Sequence, residues 1–427
     1  RTTGIWQTVW LEAVGDCYIN EIKFTPDVPS VSVSAGFVLE GDFRGAELSV
    51  RVSFDGREVG RADVAGITAR TVNIAIPLSE RHLWDVGEGN LYDVSVEVRR
   101  DGAVLDSAES YFGLRSVSLD GRVLRLNGRV VFGRWVLDQG FYPDGIYTAP
   151  TDDDLRGDIE KSMELGFNGA RLHEKVFEPR FLYWADKLGY LCWGEHANWG
   201  LNVSEAGQIQ HFLPEWLEAV ARDYSHPSVI GWCPFNETWD YAGRAQDNSV
   251  LSTVYRVTKA LDPTRPVNDA SGDGHIKTDI WAVHDYTREY DKLVANHTIK
   301  PGVEPYRNEP KKAFLAKYNG QPYMVDEMGG LPWIKESERS SSWGYGANID
   351  KIEDFYKILE AQIDAFKACK HVVGICYTQL TDVEQEKNGI YYYDRTPKFD
   401  IARIKSIFEK IPSYIENPQD LSDWKAK

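Results

Sequence analysis

From residue 18 to residue 99 the chain alternates apolar and polar positions. The stretches Tyr18–Thr25, Ser32–Leu39, Ala46–Phe54, Thr71–Ile76 and Leu91–Arg99 carry this period of two, which is the pattern of an antiparallel strand with one buried face. The pairs Asp55-Gly56 and Asp101-Gly102 mark turns between them. Short strands at this spacing over ~100 residues predict an immunoglobulin-like β-sandwich, spanning residues 17–116. No set of side chains suited to catalysis falls within it, so its expected role is structural support.

Beyond residue 117 the period changes. Asp152–Leu165 has helical spacing, an acidic first turn and Gly166 as a stop signal. Phe212–Tyr224 and Asp350–Lys367 read the same way. Between the helices lie eight short, mostly apolar runs: Val131–Leu137, Gly169–His173, Tyr190–Trp193, Val229–Pro234, Pro266–Ala270, Ile280–His284, Tyr323–Asp326 and Val372–Tyr377. Near-continuous apolar strands between helices are the mark of a buried parallel sheet. Eight such units predict a (β/α)8 TIM barrel over residues 117–427. The rival is an open doubly wound sheet, and the lack of a glycine-rich phosphate loop after the first strand counts against it. The expected fold class is therefore multi-domain β and α/β, an immunoglobulin-like sandwich followed by a TIM barrel.

A barrel of this kind carries its chemistry at the carboxyl ends of its strands. Those positions hold Asp138, Arg171, His173, Glu174, Glu195, Asn236, Glu237, His284, Tyr286, Asp326, Glu327 and Tyr377. There is no Ser-His-Asp order of a hydrolase elbow and no HExxH or comparable metal spacing, so neither a metal nor a cofactor is expected. Cleaving a glycosidic bond takes two carboxyl groups facing across the sugar, one protonated and one ionised. Glu237 on the fourth strand and Glu327 on the seventh stand on opposite sides of the ring and fit this need. One strand-end glutamate alone is more often a salt-bridge partner; the pairing is what carries the reading. Asn236 is placed to bond a sugar hydroxyl. Asp138, Arg171 and Glu174 read equally as an ion network at the barrel mouth, and His173 and His284 equally as bonded core histidines.

Charge narrows the partners. With 48 Lys and Arg against 65 Asp and Glu, the formal net charge is -17, which repels nucleic acid and anionic membranes. No run of 18 apolar residues occurs. The five cysteines form no C-x-x-C pair and read as buried small hydrophobes, which favours a reducing compartment. A cytoplasmic location is expected; the incomplete start leaves a periplasmic or secreted one open. The 14 Trp, 22 Tyr and 17 Phe fill a core and leave some for sugar stacking.

Several long stretches resemble glycoside hydrolase family 2: Leu126-Asn127-Gly128-Arg129, the run from Leu137 to Gly145, Gly166 to Arg171, His226 to Trp232 leading into Asn236-Glu237, and Tyr377 to Glu386. The resemblance implies that Glu237 is the acid/base, that Glu327 is the nucleophile of a retaining double displacement through a covalent glycosyl-enzyme, and that Tyr286 bonds the nucleophile. It carries over the expectation of a homo-oligomer. Gly4 to Glu12 looks like the last strand of the jelly-roll domain that precedes the sandwich in relatives, so residues 1–16 are expected to be its remnant. The rest would be missing from a fragment, supplied by a separate chain, or lost in a shortened member. Family β-glucuronidases grip the sugar carboxylate with an Asn-x-Lys pair; this chain has Glu386-Lys387-Asn388-Gly389 there, and Glu386 would repel that carboxylate. Tyr377 stands where many relatives have a Trp, with Trp343 as candidate replacement platform. The expected activity is exo-hydrolysis of a terminal β-galactoside. The alternatives are the same chemistry on a β-glucuronide, β-mannoside, β-galacturonide or α-L-arabinopyranoside, or a carbohydrate-binding or assembly subunit without turnover.

Overall fold

The structure, a computed structural model, describes residues 4–272, 274–300, 302–308, 316–410 and 412–416. The first domain has seven strands: β1 (Cys17–Asp27), β2 (Ser32–Gly41), β3 (Glu47–Phe54), β4 (Arg57–Val64), β5 (Thr71–Pro77), β6 (Tyr92–Arg100) and β7 (Ala103–Phe112). They form two antiparallel sheets, ordered β1-β2-β5 and β4-β3-β6-β7. The alternation read from the sequence sets the faces. In β3, Leu48, Val50, Val52 and Phe54 are buried and the residues between them are not. They meet Val33, Ala35, Phe37 and Leu39 from the opposite sheet in one apolar core. The two sheets thus form the immunoglobulin-like sandwich.

A small antiparallel sheet follows, built from β8 (Val117–Asp120), β9 (Val123–Leu126) and β10 (Arg129–Val130). Its Leu124 and Leu126 cluster with Trp135, Leu191, Trp193, Ile230 and Met324. Most of these come from the starts of barrel strands, so the small sheet caps the end of the barrel away from the chemistry.

The barrel sheet holds seven parallel strands: β11 (Gly133–Asp138), β12 (Gly169–Leu172), β13 (Leu191–Glu195), β14 (Val229–Cys233), β15 (Trp281–Asp285), β16 (Tyr323–Gly329) and β17 (Val372–Thr378), in the order β14-β13-β12-β11-β17-β16-β15. The expected fifth strand, Pro266–Ala270, is a correction. That segment makes only isolated parallel bridges to the β14 side, Trp232 with Val267 and Asn236 with Ser271. Pro266 has no N–H to give. On the β15 side Asp269 bends the chain, taking Ile276 N and Lys277 N at 2.7 and 2.8 Å. The seam is closed by Thr278 Oγ1, which donates to Ile280 O at 2.6 Å, and by Asp279 N, which donates to Val267 O at 2.9 Å.

Helices α1 (Asp152–Glu164), α2 (Pro179–Leu188), α3 (Ile209–Asp223), α4 (Asn248–Leu261), α5 (Tyr290–His297), α6 (Ile352–Ala368), α7 (Ile401–Phe408) and α8 (Ser413–Glu416) accompany the strands. Helix α1 begins as the sequence predicts: Thr151 caps Asp154 N at 3.2 Å and three aspartates fill the first turn. Residues 4–16 form no strand among the described residues. Trp6 and Gln7 pack against the barrel. Thr148 Oγ1 donates to Trp6 O at 2.8 Å, and the rings of Trp6 and Tyr147 meet at 4.4 Å.

Candidate active site

Arg171, at the end of β12, is the hub of the barrel mouth. Its guanidinium is 1% exposed. It reaches Glu195 at 2.6 Å through Nε, Asp326 O at 2.7 Å and Glu327 Oε1 at 3.2 Å through Nη1, and Asn236 Oδ1 at 3.0 Å through Nη2. Burial alone would weaken its charge, but Glu195, Asp326 and Glu327 outweigh that and hold it firmly protonated. One cation thus ties together side chains from β12, β13 and β16 and Asn236 in the loop that follows β14. The planar guanidinium suits this, because its fork fixes several acceptors in one plane.

Glu327 is held from several sides. Arg171 grips Oε1, Tyr286 O–H donates to Oε2, and His173 Nε2 stands 3.9 Å from Oε1. Burial and the Arg171 charge push His173 down to about 3, so it is neutral. Burial and Glu327 push the Tyr286 hydroxyl well above its usual range, so it stays a donor. The Tyr286 ring stacks on Tyr345 at 3.7 Å.

Glu237 contrasts with it. Its side chain is 42% exposed, against 4% for Glu327. Its backbone lies at φ 46, a left-handed conformation that costs a non-glycine residue about 1–2 kcal/mol. Glu237 N donates to Ser271 O at 3.0 Å, which holds that turn in place. His284 bridges the two glutamates: Nδ1 lies 2.9 Å from Glu237 Oε1, and Nε2 lies 2.8 Å from Ser271 Oγ and 3.4 Å from Glu327 Oε1. Burial would push His284 down, but Glu327, Asp326 and Glu237 outweigh it and hold the ring at about 9. Among the described residues, Glu237, His284 and Glu327 each bring one donor atom within 4.8 Å of the others. Two carboxylates and an imidazole are also a donor set for a divalent cation. Here His284 already offers Nδ1 to Glu237 Oε1 at 2.9 Å and brings Nε2 to 3.4 Å from Glu327 Oε1.

Asn236 is buried and braced. Its N donates to Asn198 Oδ1 at 2.6 Å, and its O accepts from Asn198 Nδ2 at 3.0 Å and Trp199 Nε1 at 3.1 Å. Its amide Nδ2 has no partner although fully buried. A buried donor left open at the mouth of a site is poised for a ligand acceptor.

The structure brings Arg171, His173, Asn236, Glu237, His284, Tyr286 and Glu327 into one contact network. Trp343 stands at its rim, 44% exposed, its ring 5.7 Å from Tyr345. Asp138 and Tyr377 lie outside this network. Asp138 turns to Gly140 N at 2.8 Å and lies by Asp158, Arg395 and Lys175; burial and Asp158 raise it to about 7. Tyr377 is completely buried and packs on Phe408 of α7. Its neighbour Cys376 faces the lumen, so the pleat sends Tyr377 outward into the helical shell.

Other residues at the mouth fell outside the expected set. Glu195 pairs with Arg171. Glu174, at φ 51, accepts Asn198 N and Trp199 N at 3.0 and 3.1 Å; burial raises it to about 8. Glu386 accepts from Gln139 at 3.2 Å and Asn388 at 3.3 Å; burial, with Glu327 adding to it, lifts it to about 7. The strand-end rule marks Glu195 and Glu174, and Gln139 and Gln379 stand at the ends of the first and eighth predicted strands; Asn388 lies beyond them and carries no such signal.

A (β/α)8 barrel with a clamped glutamate and an exposed glutamate across one bridging histidine defines a class of protein: a barrel that sets two carboxyl groups facing each other at its mouth. Residues 149–413 match the TIM barrel domain of glycosyl hydrolases family 2, and residues 17–115 match the domain described as glycosyl hydrolases family 2. The chain belongs to glycosyl hydrolase family 2. It is 28% identical over 354 residues to beta-galactosidase 2 of Enterobacter cloacae, covering 78% of this chain and 32% of that protein. To the beta-galactosidase of Vibrio vulnificus it is 25% identical over 343 residues, covering 74% and 32%. The chain therefore spans about a third of the length of these curated relatives. Its fold is similar to that of the Parabacteroides merdae beta-glucuronidase, with TM-score 0.76, 17% identity, 92% of this chain and 52% of that one. It is also similar to the beta-galacturonidase of Eisenbergiella tayi, with TM-score 0.70, 18% identity, 92% and 73%.

Proposed function

We propose that the chain hydrolyses a terminal non-reducing β-glycoside with retention of configuration, with a β-galactoside as the favoured substrate. The observation that carries this is the approach of Glu237 and Glu327 to within 4.8 Å across His284. An inverting pair needs its carboxyls about 6.5–9.5 Å apart to admit water, whereas a retaining pair stands about 5–5.5 Å apart. Glu327, ionised beside Arg171, attacks the anomeric carbon while Glu237 protonates the departing oxygen. Glu237 then draws a proton from water, which attacks the anomeric carbon and frees Glu327. Arg171 and Tyr286 orient the nucleophile, and the open amide of Asn236 supplies a donor to a sugar hydroxyl.

A neutral glycone is supported by the Gln139, Gln379, Glu386 and Asn388 network. Gln139 Nε2 reaches Gln379 Oε1 at 2.6 Å as well as Glu386, and Glu386 lies close enough to feel the charge of Glu327. A uronate carboxylate entering here would meet a second carboxyl rather than a cation. The five cysteines, all buried and unbridged, support a reducing compartment. The test is release of p-nitrophenol from a panel of p-nitrophenyl glycosides, with Glu327→Gln as blank. Release from the β-galactoside, lost in the variant, is expected. Release from the β-glucuronide alone would overturn the choice of sugar, and binding without any turnover would leave a carbohydrate-binding subunit.

A further inference from the structure

Among the described residues, Trp10, Trp199, Trp239 and Trp343 are the exposed tryptophans, of 14 in the sequence. Three of them stand on loops at the carboxyl ends of barrel strands. A single exposed indole is ordinary, but adjacent exposed indoles make an apolar patch of the kind that marks a contact surface. Trp343 belongs to the nucleophile's side, packed against Tyr345. Trp199 and Trp239 belong to the side of Glu237. Trp199 follows Asn198, and Trp239 lies two residues past Glu237. Their rings meet at 6.4 Å with planes at 55°.

The pair is built rather than loose. Trp199 is pinned at both ends: its N donates to Glu174 at 3.1 Å and its Nε1 to Asn236 O at 3.1 Å, and its ring lies 5.6 Å from His173. The loop carrying Trp239 turns back on itself, with Tyr241 N on Arg244 O at 3.0 Å and Arg244 N on Tyr241 O at 2.9 Å. The two loops are stitched to each other. Tyr241 N donates to Ser204 Oγ at 3.0 Å, and Ser204 Oγ donates to Arg244 O at 2.9 Å. Asp247 N reaches Val203 O at 2.8 Å, and Arg244 pairs with Glu205. Two exposed indoles are therefore held at a fixed angle beside the exposed glutamate.

In the proposed mechanism Glu237 hands its proton to the departing oxygen, so the leaving group lies on the side of Glu237. We infer that Trp199 and Trp239 form a stacking platform for a ring-bearing leaving group, a pyranose or an aryl ring. A flat C–H or π face laid on an indole is the chemistry that would cover them. Trp199 also braces Asn236, whereas Trp239 makes no described bond to the catalytic groups, so Trp239 is the position to change.

This inference rests on the proposed reaction, and the test separates the two. Take one glycone that the enzyme cleaves, and prepare its β-glycosyl fluoride, its aryl β-glycoside and a disaccharide. The fluoride carries no ring on the leaving side. In Trp239→Ala, kcat/KM relative to that for the fluoride should fall roughly tenfold for ring-bearing substrates, mainly through KM, with partial recovery in Trp239→Phe. A fall confined to the disaccharide assigns the platform to a sugar; a fall confined to the aryl glycoside assigns it to an aromatic aglycone. Unchanged ratios for both, while the wild-type protein cleaves the fluoride, would overturn the platform and leave the reaction standing. No cleavage of any substrate by the wild-type protein would overturn the reaction reading, and the platform with it.

Discussion

The sandwich and the barrel mouth bury opposite kinds of side chain. Within residues 17–116 the buried charged groups are Asp85 and Arg115, and both face the junction with the barrel: Asp85 pairs with Arg129 and Arg115 donates to Pro227 O at 2.9 Å. The rest of that interior is apolar and alternating, and its charges stand outside. The mouth of the barrel buries Arg171, Glu195, His284, Asp326 and Glu327 together. Even when each is paired, ions taken out of water carry a desolvation cost that apolar side chains do not, so the fold gains less from this cluster than it would from an apolar one. The comparison shows where the molecule accepts instability to hold a geometry, and where it only needs to stay folded.

The sharpest way to exploit that difference is to remove the proposed nucleophile, Glu327. Glu327→Gln should lower kcat by roughly 10⁴-fold or more, measured by glycoside turnover, while circular dichroism stays as in the wild-type protein. Glu237→Gln should lower kcat/KM by roughly 10²–10⁴-fold for poor leaving groups and much less for activated ones, which need no proton; equal losses on both would remove Glu237 from the acid role. Next come two changes of similar cost and different effect. Phe37→Ala, in the sandwich core, should cost about 3–5 kcal/mol and leave kcat alone once the protein is folded. Arg171→Met, which strands buried carboxylates, should cost about 3–5 kcal/mol and lower kcat as well. Denaturant melts read against turnover decide it, and an active Arg171→Met protein would break the contrast.

The smallest expected effect is a pH dependence that the sandwich core lacks. His284 is held at about 9, above its ordinary 6.5, so its stabilising contribution is complete below about pH 6.5 and is lost as pH rises through 9. Glu386 is lifted to about 7; the folded state holds its proton more tightly, so stability falls as pH rises from about 4.5 to 7. Melting temperature against pH should flatten on the alkaline side in His284→Asn and on the acid side in Glu386→Gln. No change of slope in either variant would contradict these assignments.

Much of this was legible in the sequence because it rests on period. A strand such as Glu47–Phe54 declares its buried face, and α1 declares both ends. Barrel strands are harder, since a strand buried on both sides does not show which residues face the lumen. That is why the outward turn of Tyr377, with Cys376 in the inward position, could not be read from the strand's pattern. Pro266–Ala270 read as a strand by its place in the series, yet Pro266 and the side chain of Asp269 break its ladder. The carboxylate pair was legible by position. Its support was less so: the partners of Arg171 depend on strand register, and the meeting of Trp199 with Trp239 depends on two loops folding together.

The account turns on Glu327 forming a covalent bond to the sugar. The most direct measurement is to react the protein with a 2-deoxy-2-fluoro β-glycosyl fluoride of the glycone it cleaves, then map the labelled peptide by mass spectrometry. The account predicts one added glycosyl unit on the peptide containing Glu327, with activity lost in step. A label on Glu237 or Glu195, or no adduct together with a product of inverted configuration, would contradict it.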